Sequence, residues 1–415
     1  MKITIIAPGS RGDVQPYVAL GKGIKDAGHS VQILTTNDFL ELVTTYGLDF
    51  VDLGGQMQDV ARQMEGLLKQ GNFLKILKSM GQAAQELVNR ASHSGLEASQ
   101  DSSRLIAGPS GLFVGLALSE KLGIPFIPAF YFPLTPTRSF PNALAPLPPM
   151  RLPGWANRMS HYIAQQMLWQ NYRAADNRAR REILGLPPAP WWGPFAPFNQ
   201  QQQTVLYGYS PLVLPPPADW GPAVHVTGYW FLDPPAGWGP PASLVDFLGS
   251  GLPPVFVGFG SMTNGKSEDT TRLVVEALAC TGQRGVLSAG WGGLSQKDLP
   301  DTVRMIGSIP FSWLFPRMAA IVHHGGAGTT SAGLSAGVPS IVTPFMGDQP
   351  FWGRRVFELG VGPRPIPLQR LTAERLAQAI QTALTDTAMR QQAAVLGECI
   401  RRENGVARAV EVIEW

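Results

Sequence analysis

Positions 323–330 read His323-His324-Gly325-Gly326-Ala327-Gly328-Thr329-Thr330, where an apolar run over 319–322 gives way to helical spacing. Glycines at such a junction let the backbone approach a ligand closely, and the first N–H groups of the next helix have no partner within it. The positive end of the helix dipole adds to them, so an anion is the natural guest. A histidine there donates to a phosphate oxygen, and Thr329 or Thr330 adds a hydroxyl. After a second strand pattern over 338–344 comes Gly347-Asp348-Gln349, whose carboxylate and amide suit vicinal sugar hydroxyls. Phosphate at one loop and sugar at the next describe a nucleotide-sugar site. At the other end of the chain, Asp13 in Gly9-Ser10-Arg11-Gly12-Asp13 follows the strand pattern of residues 2–7. A carboxylate so placed serves as a general base or as a cap for the helix over 14–27, and both roles are open. The glycines at 9 and 12 do not make a dinucleotide fingerprint, because the third glycine is missing and no acidic residue ends the second strand.

These loops need elements to hold them. Strand patterns at 2–7, 31–35, 47–53, 105–108 and 125–129 alternate with helical spacing at 14–27, 57–91 (broken near Gly71) and 111–122. That rhythm predicts a parallel, doubly wound sheet with its ligand crevice at the strand C-terminal ends. Residues 130–155 and 187–197 are dense in proline and aromatics, which excludes a regular helix or a central strand. Between them, 155–184 has helical spacing, with Trp155, Met159, Ile163, Met167 and Trp169 carrying its apolar character. Short strands at 205–209 and 224–227 complete the first sheet, and a second α/β set runs from 255 through the donor stretch. Thr372 caps a helix to 384, and 388–415 is helical nearly throughout.

At 415 residues the chain exceeds one core, so two domains are expected. Apolar residues at 44% and charged residues at 15% describe a globular chain. A net charge of +3 with no basic run excludes a nucleic-acid partner. Two cysteines, Cys280 and Cys399, argue against a disulfide scaffold and fit a reducing compartment. The first residues lack a signal pattern, and no apolar run reaches the ~20 residues that span a bilayer. A cytoplasmic protein, with at most peripheral membrane contact, is expected.

The segment HHGGAGTTSAGLSAGVPSIVTPFMGDQPFWGRRVFELGVGPRPIP resembles the donor signature of family 1 glycosyltransferases. Its GDQPFWGRRV ending and trailing GVGPRPIP are most similar to the sterol 3β-glucosyltransferases. The related glycopeptide-antibiotic glycosyltransferases share HHGGAGT but differ after Asp-Gln-Pro. The segment GSRGDVQP at 9–16 resembles the same families, although many plant members carry His where this chain has Asp13.

The resemblance implies the GT-B architecture: two Rossmann-like doubly wound parallel-sheet domains facing a central cleft. Its boundaries would be 1–232 for the acceptor domain, 233–243 for a linker and 244–395 for the donor domain. A helix over 396–415 would cross back to the first domain. The resemblance makes Asp13 the catalytic base and His324 a phosphate contact. Gly326, Ala327, Gly328 and Thr329 would hold the diphosphate, and Asp348 and Gln349 the sugar. Ser308 and Ile309 replace the Trp that flanks uracil in the plant signature, so their backbone would hold the base. Ser261 either faces the phosphates or caps a helix; Trp291 either stacks on the base or packs in a core. Gly12 completes the donor set, and His323 reads as a packed strand end.

For the acceptor, Phe130, Phe132, Phe140, Trp155 and Trp192 offer aromatic walls for a flat apolar alcohol. No D-x-D pair occurs, so no divalent metal or other cofactor is expected. The reading is an inverting UDP-glycosyltransferase, a monomer or weak dimer, making a β-glucoside of a sterol or sterol-like acceptor from UDP-glucose. Two alternatives stay open: an antibiotic, polyketide or flavonoid glycosyltransferase using a UDP- or TDP-sugar, and a non-catalytic nucleotide-sugar binder.

Overall fold

The computed structural model describes residues 1–54, 73–145, 152–260, 267–290, 294 and 299–415, leaving aside the side chains of 73–84. Ser261, Trp291 and the first part of the 57–91 helical expectation lie outside the described residues. The chain divides into two compact units. The first comprises Met1–Pro211, Pro215–Leu232 and Asn404–Trp415; the second comprises Leu212–Leu214 and Asp233–Glu403.

The first unit is built on β1 (Lys2–Ile6), β2 (Ser30–Thr35), β3 (Asp49–Asp52), β4 (Arg104–Ala107), β5 (Phe126–Phe130), β6 (Val205–Tyr207) and β7 (Val224–Val226). Their order is β3-β2-β1-β4-β5-β6-β7, and every pairing is parallel. Ile3, Ile5, Ile6, Ile33, Leu105 and Ile106 are fully buried, as strands covered on both faces require. The helices that matter here are α1 (Arg11–Asp26), α2 (Phe73–Ala98), α3 (Leu112–Leu122) and α4 (Gly154–Ala179). A five-residue π-helical turn, Arg180–Leu184, continues α4, and left-handed Gly185 ends it.

The inward face of α4 departs from its apolar spacing. Asn157, Ser160, His161, Gln165 and Trp169 are buried, whereas Trp155, Met159, Ile163 and Met167 are exposed. The polar residues find partners in place: Asn157 donates to the Arg138 carbonyl (2.9 Å), although its Oδ1 has no partner among the described residues, and Gln165 exchanges hydrogen bonds with Asn199 (2.8 and 3.0 Å). Hydrogen-bonding demand from the proline-rich loop, not hydrophobicity, selects the packing face.

The second unit has β8 (Val255–Gly258), β9 (Gly285–Ser288), β10 (Val303–Ile306), β11 (Ala320–His323) and β12 (Ser340–Val342), in the order β10-β9-β8-β11-β12, all parallel. Around it stand α5 (Ser267–Cys280), α6 (Ala327–Ala336), α7 (Gln349–Glu358), α8 (Ala373–Thr385) and α9 (Thr387–Arg401). Alternation along β8 sends Val255 and Val257 to one core, with Val274 and Ile380, and Phe256 to the other, with Leu314 and Phe315. Thr372 accepts from the Arg375 N–H (3.3 Å) and caps α8.

The helical expectation over 388–415 resolves into α9 and α10 (Gly405–Glu414), with residues 402–404 between them. α9 belongs to the second unit; the return to the first unit begins at Asn404, not at 396. There Val406 sits against Gly23 of α1, where a Cβ would lie 2.2 Å from it. Residues 233–241 have no helix or strand, and Leu212–Leu214 joins the second unit, where Arg355 donates to the Val213 carbonyl (2.7 and 3.0 Å).

Where α9 crosses the end of α6, a Cβ on Gly397 would lie 2.6–2.8 Å from backbone atoms of Gly337 and Leu334. Backbone cannot yield as a side chain does, so Gly397→Ala should destabilise the second unit by about 1–3 kcal/mol. Gly239→Ala, with nothing within 4 Å, should stay within about 0.5 kcal/mol of wild type. Thermal melts compare the two; equal midpoints would dismiss the close crossing.

Candidate active site

In the second unit, the loops that leave β8, β9 and β11 meet. Gly260 and Gly290 approach so closely that a Cβ on Gly290 would lie 1.8 Å from the Gly260 carbonyl oxygen. The His324 ring lies over Gly260 and Gly326, at 2.9 and 2.4 Å from where their Cβ atoms would stand. Any side chain at these positions would push the ring out. Gly325, with φ +91°, turns the chain between β11 and α6. The N-cap of α6 is Gly326, and among the described residues no side chain caps its N–H groups.

The two histidines differ. His323 is fully buried, and its Nδ1 accepts from the Gly325 N–H (3.1 Å), which assigns the ring proton to Nε2. Burial, with the neighbouring His324, pushes its pKa down to about 3. Burial alone pushes His324 down to about 4, so both imidazoles are neutral near pH 7. His324 Nδ1 is buried and finds no partner among the described residues. The threonine pair also separates. Thr330 is buried and donates back to the Gly326 carbonyl (2.9 Å), so only Thr329 keeps its hydroxyl at the helix tip.

Beyond β12, Gln349 is buried, and its Oε1 accepts from the N–H groups of Phe345 (2.8 Å) and Met346 (3.1 Å). Its carbonyl therefore shapes the loop and leaves the NH2 group as the available donor. Asp348 accepts from the Trp352 indole N–H (3.0 Å), one turn along α7. Ser308 and Ile309 follow the end of β10; Ser308 is exposed and Ile309 packs on the Phe256 core.

In the first unit, Asp13 is the third residue of α1. Its Oδ2 accepts from the Ser10 N–H (2.7 Å) and the Ser10 hydroxyl (2.8 Å), and its Oδ1 accepts a short hydrogen bond from the Tyr131 hydroxyl. Asp13 therefore caps its helix and at the same time faces a phenol carried in from the end of β5. Gly9 makes room: with φ +144°, its missing Cβ would sit 2.6 Å from the carboxylate. Gly12 is exposed on the first turn.

The aromatic candidates do not converge. Phe132 packs on Tyr131 (centroids 5.3 Å), beside Asp13. Phe140 lies against His161 and Trp220. Phe130 lines an apolar cavity of about 20 Å³ under α4, with Leu116, Leu168 and Phe195, room for little more than one water. Trp155 and Trp192 are 72% exposed. Among the described residues, no group of three His, Cys, Asp or Glu side chains is placed to hold a metal ion.

Residues 3–141 match the Glycosyltransferase family 28 N-terminal domain, and 292–405 match the Erythromycin biosynthesis protein CIII-like C-terminal domain. The chain is 36% identical to sterol 3-beta-glucosyltransferase UGT80B1 of Arabidopsis thaliana, over 99% of its own length and 67% of that relative. The chain belongs to the sterol 3-beta-glucosyltransferase family. Within this family it is 38% identical to UGT80A2 of the same plant, and 40% identical to a Cryptococcus neoformans sterol 3-beta-glucosyltransferase. It spans 65% of the first and 27% of the second. Solved structures share the fold at 20% identity: the glycotransferase of kitacinnamycin (TM-score 0.71, 100% of this chain and 98% of that one) and Streptomyces sp. SF2575 glycosyltransferase SsfS6 (TM-score 0.64, all of both chains). The fold is the expected GT-B class, with two parallel-sheet α/β domains.

Two residues that hold this family member's candidate site escaped sequence reasoning, Ser10 and Trp352, and a third, Tyr131, reads there only as one of the aromatics of the acceptor wall. Trp352 left a signal, since Asp348 and Trp352 are four residues apart on one helix face. Ser10 also left one, as an N-cap serine three residues before an acidic residue. The bond from Tyr131 to Asp13 left none, because only the sheet brings position 131 to position 13.

The histidine environments predict that long-range 1H–15N spectra at pH 5.5 show His161, His323 and His324 as neutral, since burial holds them at about 4, 3 and 4. In each case the unfolded state takes up the proton first, so stability conferred by the neutral rings is present above pH 6.5 and lost on acidification toward pH 4. An imidazolium signature for His324 at pH 5.5 would overturn its burial.

Proposed function

We propose that this chain is an inverting, metal-independent glucosyltransferase that moves glucose from UDP-glucose to the hydroxyl of a sterol or sterol-like lipid. The supporting observation is the tip of α6, uncapped among the described residues and overlain by the His324 ring, in a chain 36% identical to a sterol 3-beta-glucosyltransferase of which it spans 67%. The antibiotic glycosyltransferases enter as structures at 20% identity and as a family model over residues 292–405, whereas sterol 3-beta-glucosyltransferases are 36–40% identical over 99–100% of this chain, which favours the sterol reading.

In this mechanism the backbone N–H groups of Ala327, Gly328 and Thr329, the Thr329 hydroxyl and the neutral His324 hold the diphosphate. Gly326 permits their close approach. Asp348, steadied by Trp352, and the Gln349 amide take the sugar hydroxyls, while Ser308 and Ile309 hold the base through their backbone. Ser261, Trp291 and Gly12 remain proposed donor contacts. The acceptor lies along Phe132 and Tyr131, since Phe130, Phe140, Trp155 and Trp192 do not converge there. The acceptor oxygen bonds to the anomeric carbon as the bond to the diphosphate breaks, and Asp13 takes the hydroxyl proton. The departing electron pair is met by the helix tip, which needs no reorganisation as charge develops. Attack from the opposite face turns the α-linked donor into a β-glucoside. No cofactor beyond the co-substrate is needed. The exposed thiols Cys280 and Cys399 fit a reducing compartment, and we place the protein in the cytoplasm.

Asp13→Asn should lower kcat by about 10²–10⁴-fold with UDP-glucose and cholesterol. His324→Ala should cost about 10²-fold in kcat/KM for UDP-glucose. Tyr131→Phe should cost about tenfold in kcat at unchanged KM for UDP-glucose, because it frees the Asp13 carboxylate to rotate. Full activity in Asp13→Asn would remove the base assignment. A screen offering cholesterol, a flavonoid and a macrolide, with UDP- or TDP-glucose, tests the substrates; macrolide transfer alone would overturn the sterol reading. The rate should survive EDTA, and its abolition would refute metal independence.

A further inference from the structure

The outward face of α4 is apolar where an ordinary helix is polar. Trp155, Met159, Ile163 and Met167, spaced by four, are 72, 49, 55 and 62% exposed. Two more tryptophans stand beside them: Trp191 and Trp192 are 58 and 72% exposed. They are held there firmly. Gln166 donates to the Trp192 carbonyl (2.6 Å), and Trp169 and Gln170 donate to the Trp191 carbonyl (2.9 and 3.2 Å). Arg173 stacks on the Trp191 ring at 3.8 Å.

Along residues 155–175, α4 itself carries charge of one sign. From Ser139 to Ala175, and again from Ile183 to Ala218, the sequence holds no Asp or Glu, while Arg158 and Arg173 lie on α4. Arg158 acts electrostatically on Asp219, whose carboxylate is bonded to Thr137 and to the Arg138 N–H. Other helices carry paired charges outward, as Lys22–Asp26 on α1 and Arg402–Glu398 at the end of α9 do. Ordinary pairing resumes only with Arg178–Glu182, past the apolar stripe.

We propose that this face docks on an anionic lipid bilayer, with the tryptophans and α4 side chains in the headgroup region and Arg158 and Arg173 on the phosphates. Tryptophan favours that zone, being apolar in body with one N–H, and an amphipathic helix with arginines binds there in proportion to apolar area and anionic charge. A second copy fits less well. A two-fold contact would bring Arg158 and Arg173 of the two copies together.

Flotation with sterol-free vesicles tests this apart from any transfer reaction. Vesicles of phosphatidylcholine with about 30% phosphatidylserine should carry the protein, and phosphatidylcholine alone should carry much less. Met159→Ser/Ile163→Ser/Met167→Ser and, separately, Arg158→Glu/Arg173→Glu should each lower binding to anionic vesicles by about tenfold, with unchanged circular dichroism and melting midpoint. Wild-type protein that floats with neither vesicle overturns the proposal. So does a triple variant that binds as well as wild type. Conversion of a dimer to a monomer by the triple variant, seen by light scattering without vesicle binding, would assign the face to a second copy instead.

Discussion

An unfinished hydrogen-bonding site governs the second unit. Among the described residues the tip of α6 has no side-chain cap; the His324 ring lies over Gly326 there, and His323 Nε2 and His324 Nδ1 are both buried without a partner. Each buried group left so costs about 1–3 kcal/mol, which a fold retains where a ligand supplies the missing half. The surroundings hold this arrangement open. Gly260, Gly290 and Gly326 admit the ring and the neighbouring loops at distances that no Cβ would tolerate. The low pKa of His324 follows from the same burial.

Parallel topology explains why such residues meet at all. In a sheet with every strand parallel, all the loops that follow strands leave from one edge. In the second unit those after β8, β9 and β11 adjoin because these strands are neighbours. In the first unit Asp13 follows β1 and Tyr131 follows β5, with β4 between them. A phenol reaches across that one strand to fix a carboxylate that also serves its own helix. Capping and catalysis are therefore compatible roles for Asp13, one oxygen serving Ser10 and the other facing Tyr131.

The proline-aromatic loops do a different job from the one their composition suggests. Phe130 and Phe195 pack inward, while Trp191 and Trp192 are tied by their carbonyls to α4 and turn their rings to water. Both faces of α4 reverse the usual pattern, polar inside and apolar outside. The inside is stable because its amides and imidazole find partners in the loop. The outside is an apolar stripe with two exposed tryptophans beside it, a composition that marks interaction sites.

What the residues alone determined were the parallel strands, which need only continuous apolar runs, and the glycine-rich turn, where only glycine admits the backbone so closely. The helix cap at Thr372 and the pairing of a phosphate loop with a sugar loop are equally local, since each is written within a few consecutive positions. Although the family resemblance already separated the two histidines, tertiary structure alone supplied the reason, because the seat of the His324 ring depends on Gly260 and Gly290 arriving from other strands. It also decided the direction of α4, since periodicity marks an apolar stripe without saying whether protein or solvent lies against it. Tyr131 beside Asp13 belongs to the same class: 118 residues separate them, and only the order of strands brings the two side chains together.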